Sequence, residues 1–411
     1  MLAEFSTSTA ENSTSTVNFC SSGGRFLVKV SAFSHSLGEL LWGIESTLSF
    51  HTLRRRMVQR SCFIHKIGMA LRFSALKVLT SPTDNACMKF RTEVELPSTQ
   101  LQLLPDTRCM MFGSCFAEHI GRRMHETRMS VDVNPFGVIY NPLSVHAALT
   151  MLLENSFPDE TLFEGDDGMW HSRLHSGAFS AATREACEAS VRARFDAAAA
   201  ALSRLDVLFV TFGFARVYIY KECGQVAGNC HKQPSRDFIV RDLSPADIVE
   251  IWQPLLQRLR ALRPELQVVF TVSPYRYRKT GLHGNALGKA SLLLAIDELC
   301  RLNEGCHYFP AYEIVLDELR DYRFFEADML HPSAVAIDYV WERFRTWAFA
   351  PSMHEMHAEW EKLHRALLHR PLQPESEPAK RFREQTELQL KAFEQKWKLS
   401  PYVAEDETAR V

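Results

Sequence analysis

Ser114 and His331 are the two residues of this sequence whose surroundings best suit nucleophilic catalysis. Ser114 follows a short apolar run, residues 109–112 (CMMF), and a glycine, Gly113. A helix is expected directly after it, because Phe116, Ile120 and Met124 recur at i, i+4 and i+8 on one face. A serine at such a turn has unpaired backbone N–H groups beside it, and the positive end of the helix favours a developing oxyanion. Gly113 lets the chain turn sharply with no side chain in the way. His331 closes the run Asp328-Met329-Leu330-His331, just ahead of another expected helix. It would take the serine proton, while Asp328 would hold the imidazole tautomer and stabilise its charged form. Each fragment alone has a plainer reading: a Gly-Ser after a strand is often only a helix cap, and D-x-x-H recurs by accident. Cys115 is an alternative nucleophile, since a thiol at a helix N-terminus is expected to ionise more readily.

Positioning these residues needs an alternation of apolar strands and amphipathic helices, and the chain from Met88 onward has it. Residues 206–212 (DVLFVTF) and 267–272 (QVVFTV) read as buried parallel strands. Ser244-Pro245 caps a helix carrying Ile248, Ile251, Leu255 and Leu259. Residues 291–302 read as helix, and Ser333 caps another with Val335, Tyr339 and Phe344. The stretch 162–177, with Gly165 and Gly168, reads as a loop or hairpin insertion. This pattern predicts a parallel sheet covered on both faces, with ligands gathering at the carboxyl ends of the strands. The residues at those ends are Gly113-Ser114-Cys115, Gly213 and Ser273-Pro274-Tyr275-Arg276. Arg276, His283 and Asn285 form a polar cluster that reads either as a substrate-binding group for a carboxylate or sugar hydroxyls, or as a solvated loop. His231 and Lys232 invite the same two readings.

Three segments follow from composition. Residues 1–87 are rich in Ser and Thr, carry Arg54-Arg55-Arg56 and show no sustained apolar period. They read as a disordered or spurious extension, with an organelle-targeting leader as the alternative. Residues 88–350 form the expected α/β domain that carries Ser114 and His331. In residues 351–411, two charged helices, around 354–368 and 379–398, flank the joint Arg370-Pro371-Leu372-Gln373-Pro374. They would either pack on the main domain or form a partner-binding hairpin.

The bulk numbers exclude little but point one way. The 411 residues are 46% apolar and 23% charged with a formal net charge of -2, which gives no footprint for nucleic acid. No run reaches the ~18–20 apolar residues of a membrane span, and no secretory signal opens the chain. Ten cysteines without C-x-x-C spacing suit a reducing, cytoplasmic setting. His354-Glu355-Met356-His357 lacks the spacing of H-E-x-x-H, and Glu164-Gly165-Asp166-Asp167-Gly168 lacks a calcium ladder. No metal and no cofactor is expected, and nothing in the sequence speaks to oligomeric state.

Phe112-Gly113-Ser114-Cys115-Phe116-Ala117-Glu118 resembles the signature of the GSCFA family. The likeness continues through Asn134-Pro135-Phe136-Gly137, Asn141-Pro142-Leu143-Ser144, Asn229-Cys230-His231-Lys232, Ser273-Pro274-Tyr275-Arg276 and Asp328-Met329-Leu330-His331-Pro332-Ser333. That family is similar to the SGNH/GDSL hydrolases. The resemblance implies a three-layer α/β/α sandwich around a five-stranded parallel sheet, flavodoxin-like, here with a C-terminal helical extension. It implies Ser114 as nucleophile, Asp328 and His331 as its partners, and a glycine plus an asparagine as oxyanion donors. Two departures stand out. Gly113 occupies the place of the superfamily's aspartate, and Gly213-Phe214-Ala215-Arg216 lacks the expected asparagine. Gly137 and Gly213 are the candidate glycines, with Asn229 or Asn134 to replace the missing amide. The implied activity is hydrolysis of a small-molecule or carbohydrate ester through an acyl-enzyme. The alternative is a catalytically silent domain that binds a carbohydrate or protein partner.

Overall fold

The computed structural model describes residues 14–21, 24–31, 91–158 and 161–402. The chain divides into two units, residues 1–87 and 88–411. In the first, Thr14–Ser21 and Gly24–Ser31 pair as antiparallel strands. The expectation for the remainder of residues 1–87 lies outside the described residues.

The second unit is built on five parallel strands: β1 (Arg108–Gly113), β2 (Ser130–Val133), β3 (Val207–Phe212), β4 (Gln267–Val272) and β5 (Cys306–Tyr308). Their order across the sheet is β2-β1-β3-β4-β5. Strand side chains alternate, so Met110, Phe112, Leu208, Val210 and Phe270 enter one core while Cys109, Met111, Phe209 and Val269 enter the other. The first core is covered by α2 (Pro142–Glu154), α3 (Arg184–Leu202), α4 (Pro245–Leu262) and α5 (Gly281–Leu302). The second is covered by α1 (Cys115–Glu126) and α6 (Ala334–Ala348). This is the three-layer sandwich the sequence implies.

β2 and β5 escape a reading of the sequence because they are edge strands of four and three residues, too short and too polar to show a buried run. The insertion after α2 is a hairpin, Leu162–Glu164 against Trp170–Ser172. A second hairpin, Arg216–Tyr220 against Phe238–Asp242, follows β3.

The last two helices, α7 (Pro351–Leu367) and α8 (Glu377–Trp397), pack on the main domain. Trp360 of α7 is buried, stacks on Phe393 of α8 with centroids 5.5 Å apart, and donates from Nε1 to the carbonyl of Glu126 at 2.5 Å. Arg128 lies over the rings of Trp360 and Tyr402. Of the two placements open to these helices, they take the packed one. Among the described residues no helix is long and apolar enough to cross a membrane.

The strand order places the switch of winding direction between β1 and β3. The connections leaving their carboxyl ends diverge there and open a crevice. Ser114 and Gly213 are the first residues beyond those two strands.

Candidate active site

Ser114 caps α1 with extended backbone angles, φ -76 and ψ 179, but its side chain makes no capping bond. The hydroxyl is free for other work, and the residue is only 5% exposed. Its Oγ donates to Ser273 Oγ at 3.0 Å. Gly113 before it touches β3: a Cβ at that position would stand 2.6 Å from Thr211 Cβ and 2.8 Å from Thr211 O. Only glycine lets β1 and β3 approach this closely where the chain turns.

The Gly113 N–H donates to Asn134 Oδ1 at 2.8 Å. Asn134 follows β2 in the left-handed region, φ 46, and its own N–H reaches Met111 O at 2.7 Å. The amide is therefore fixed in orientation beside the serine turn. Its Nδ2 is buried without a hydrogen-bond partner among the described residues. Glu118, near the start of α1, is close enough for this amide to lower its carboxyl, although desolvation acts more strongly and the net shift is upward.

His331 is organised by its own turn. Asp328 Oδ1 accepts the N–H groups of Leu330 and His331 at 2.8 and 3.0 Å, and Oδ2 lies 2.5 Å from His331 Nδ1. Those two N–H groups and then the ring pull the Asp328 carboxyl down to about 2. With Nδ1–H given to the carboxylate, Nε2 is left as the acceptor. The turn docks on the loop after β4: Arg276 N–H donates to Leu330 O at 3.1 Å, and the Tyr275 ring lies 4.4 Å from the imidazole. Ser273 opens that same loop. The Asp328–His331 turn thus meets the loop that holds the Ser114 hydroxyl, which is hydrogen-bonded to Ser273 and not to His331.

The remaining sequence candidates have local roles. Gly137, φ 69, closes a turn by donating its N–H to Asn134 O at 2.7 Å, and a Cβ there would stand 1.9 Å from Ser176 Oγ. Gly213 donates its N–H to Tyr140 O at 2.7 Å. Both candidate glycines have therefore spent the N–H an oxyanion would need. Asn229 Oδ1 accepts the His231 N–H at 2.8 Å, and His231 Nε2 meets Ser172 O at 2.8 Å. Lys232 and His283 are exposed. Asn285 is fully buried and accepts the Tyr277 N–H at 2.8 Å, which braces the loop after β4. Burial pushes the Cys115 thiol up, outweighing the Phe116 N–H that would lower it. The net shift is upward, against the expectation from the helix terminus alone.

Sequence reasoning missed Lys289. It lies on α5, 1% exposed, and Nζ donates to Gly213 O at 2.5 Å and Ser273 O at 2.6 Å. Its burial pulls the ammonium down to about 7. The signal was present: Lys289 sits three residues before Leu292 on the buried stripe that continues through Ile296 and Leu299, where a charge is out of place. Ser273 was visible as a strand-end residue, but nothing in the sequence assigns its hydroxyl to Ser114.

The GSCFA family model matches residues 108–344, and the model of the GSCFA domain protein C-terminal domain matches residues 360–404. A comparison with curated proteins gives no match. Among solved structures the chain is similar to a Streptococcus pneumonia protein described by reference to platelet activating factor, at 11% identity and a TM-score of 0.31, covering 59% of this chain and 85% of that one. It is also similar to a Clostridium thermocellum family 3 carbohydrate esterase, at 10% identity and 0.27, covering 62% and 98%. A family 3 carbohydrate esterase from Talaromyces cellulolyticus gives 7% identity and 0.28, covering 62% and 99%.

Proposed function

This chain belongs to the GSCFA family, and from that premise we propose that it is a serine ester hydrolase. Ser114 Oγ stays beside Ser273, redirects its hydroxyl proton from Ser273 Oγ toward His331, and attacks the acyl carbonyl. His331 Nε2 takes the hydroxyl proton, and Asp328 balances the imidazolium that forms. The oxyanion forms beside the start of α1, where Asn134 Nδ2, near the Glu118 carboxyl, is a buried side-chain donor. Collapse of the tetrahedral species expels the alcohol, which receives the proton from His331. Water, deprotonated by the same imidazole, then releases the acid and frees Ser114.

The observation that carries this reading is the Asp328–His331 pair docked, through the Arg276–Leu330 bond, on the loop that holds the Ser114 hydroxyl. The substrate class we infer is an ester of a small molecule or carbohydrate with a short acyl group, such as an O-acetyl. Labelling with a fluorophosphonate probe tests it. Wild type should react, Ser114→Ala should not, and His331→Ala should react at least about 100-fold more slowly. Folded wild type that stays unlabelled, or a labelled Ser114→Ala variant, overturns it.

Two observations favour a second reading, a silent domain that binds a carbohydrate or protein partner. The serine hydroxyl is satisfied by Ser273, and the N–H groups of Gly137 and Gly213 are both engaged. An unlabelled but folded wild type would select it.

A further inference from the structure

Ser273 and Lys289 take no proton in the chemistry just proposed, yet Ser273 bonds Ser114 and Lys289 bonds Ser273. The pairing of β3 with β4 ends at Phe212 and Val272, and the last bond beyond it runs from Ser273 N–H to Phe212 O at 2.8 Å. Past that point the strands part, and the carbonyls of Gly213 and Ser273 need partners inside the protein. Lys289 supplies both bonds from one Nζ, at 2.5 and 2.6 Å. α5 comes close enough because Gly288 beside the lysine has no side chain: a Cβ there would stand 2.4 Å from the Phe214 ring.

A buried ammonium is costly unless its donors are met. An apolar side chain of similar length would fill the space but leave two carbonyls unpaired. The groups that act on the ammonium are Arg276, the Cys115 thiol and the Tyr312 ring, 5.8 Å away. Nζ bonds the carbonyl oxygens and not the Ser273 hydroxyl, so the lysine is placed as a donor and not as a base on that serine.

On the premise of the hydrolase reading, we propose that Lys289 is a positioning residue for the nucleophile. By clamping the carbonyls of Gly213 and Ser273 it fixes Ser273 Oγ, and Ser273 Oγ sets where the Ser114 hydroxyl stands. A chain Ser114–Ser273–Lys289 across the ends of β1, β3 and β4 thus prepares the serine that His331 activates.

The test uses the full chain as wild type, Ser273→Ala, Ser273→Thr, Lys289→Met and the Ser273→Ala/Lys289→Met double variant. Fluorophosphonate labelling rates and steady-state turnover of p-nitrophenyl acetate are measured on each. Lys289→Met should lower kcat about 10- to 100-fold with KM little changed, since a small misplacement of a reacting group has effects of that size. Ser273→Ala should cost about tenfold, and Ser273→Thr, which keeps the hydroxyl, should recover most of it. The double variant should be no worse than Lys289→Met, because both changes break one chain. Additive losses, no rescue by threonine, or wild-type kcat in Lys289→Met would overturn the proposal. Should Lys289→Met not fold, the alanine and threonine pair at Ser273 decides alone. Should folded wild type remain unlabelled, the hydrolase reading fails, and a crystal structure of Lys289→Met still judges the clamp. A Ser114–Ser273 contact kept at about its wild-type length refutes it, and a displaced hydroxyl supports it.

Discussion

His331 Nδ1 lies 2.5 Å from Asp328 Oδ2, while Asp328 Oδ1 accepts two N–H groups of the same short turn. A four-residue segment therefore fixes the orientation of the imidazole without help from the sheet. The bond from Arg276 N–H to Leu330 O then ties that finished unit to the loop after β4, whose Ser273 accepts the Ser114 hydroxyl.

Asp328→Asn keeps an acceptor for the turn but removes the charge that balances the imidazolium. Turnover should fall by about 10²–10⁴, and the thermal midpoint should barely move, because the side chain is 42% exposed. In wild type the carboxyl is held at about 2. Its contribution to stability is present above the ordinary aspartate range and is lost as pH falls through about 2. An acid limb of activity above about pH 4 would therefore not belong to Asp328. A variant as active as wild type in kcat measurements would contradict the assigned role.

Asn134→Ala should lower kcat by about 10²–10³ with a smaller change in KM, the signature of a lost oxyanion donor. Asn134→Asp retains the acceptor for Gly113 N–H but brings a negative charge toward the oxyanion, so it should be worse than alanine. Steady-state kinetics on p-nitrophenyl acetate distinguish the two. A smaller loss in Asn134→Asp than in Asn134→Ala would assign Asn134 to the turn alone.

Gly113→Ala would press a methyl group against Thr211 at 2.6 Å and should destabilise the protein by about 1–3 kcal/mol. Gly177→Ala, where nothing lies within 4 Å of the added Cβ, should stay within about 0.5 kcal/mol of wild type. Urea midpoints give both values, and similar midpoints for the two variants would remove the steric argument.

Trp360→Ala should cost about 3–5 kcal/mol and expose α7 and α8 to limited proteolysis. The ring is buried against Phe393, bonded to Glu126 O and covered by Arg128. Proteolysis at the wild-type rate would show that the C-terminal helices are held by other contacts.

Lys289 titrates at about 7 in the folded protein, below its ordinary 10.5. Below about 7 the folded and unfolded chains are both protonated, and the burial penalty is fully present. As pH rises from about 7 toward 10.5, the folded chain sheds the proton first, so this group's contribution to stability rises. Urea midpoints of wild type and Lys289→Met, compared from about pH 6 to about pH 10, should shift in favour of wild type. Parallel curves would show that the ammonium is not destabilised.

The apolar runs of β1, β3 and β4 are legible in the sequence, as are the cap at Ser244 and the helix after Ser114, because each is specified by neighbours along the chain. The Asp328–His331 turn is equally local, an i, i+3 contact whose partners are already adjacent. Long-range packing decided the rest. β2 and β5 exist because an edge strand needs one partner ladder and not an apolar run. Asn134 Oδ1 holds the serine turn through Gly113 N–H while Asn229 is absorbed by its own loop, and only the surroundings in three dimensions decide which amide stands beside the serine. Gly137 and Gly213 look alike as residue types, yet each N–H was already taken by a carbonyl, that of Asn134 or of Tyr140. Lys289 shows the division most clearly. Its sequence position marks a charge on an apolar helix face, but its purpose depends on two carbonyls exposed where β3 and β4 diverge. Periodicity reports which face of an element is buried; what that face must satisfy is set by the element packed against it.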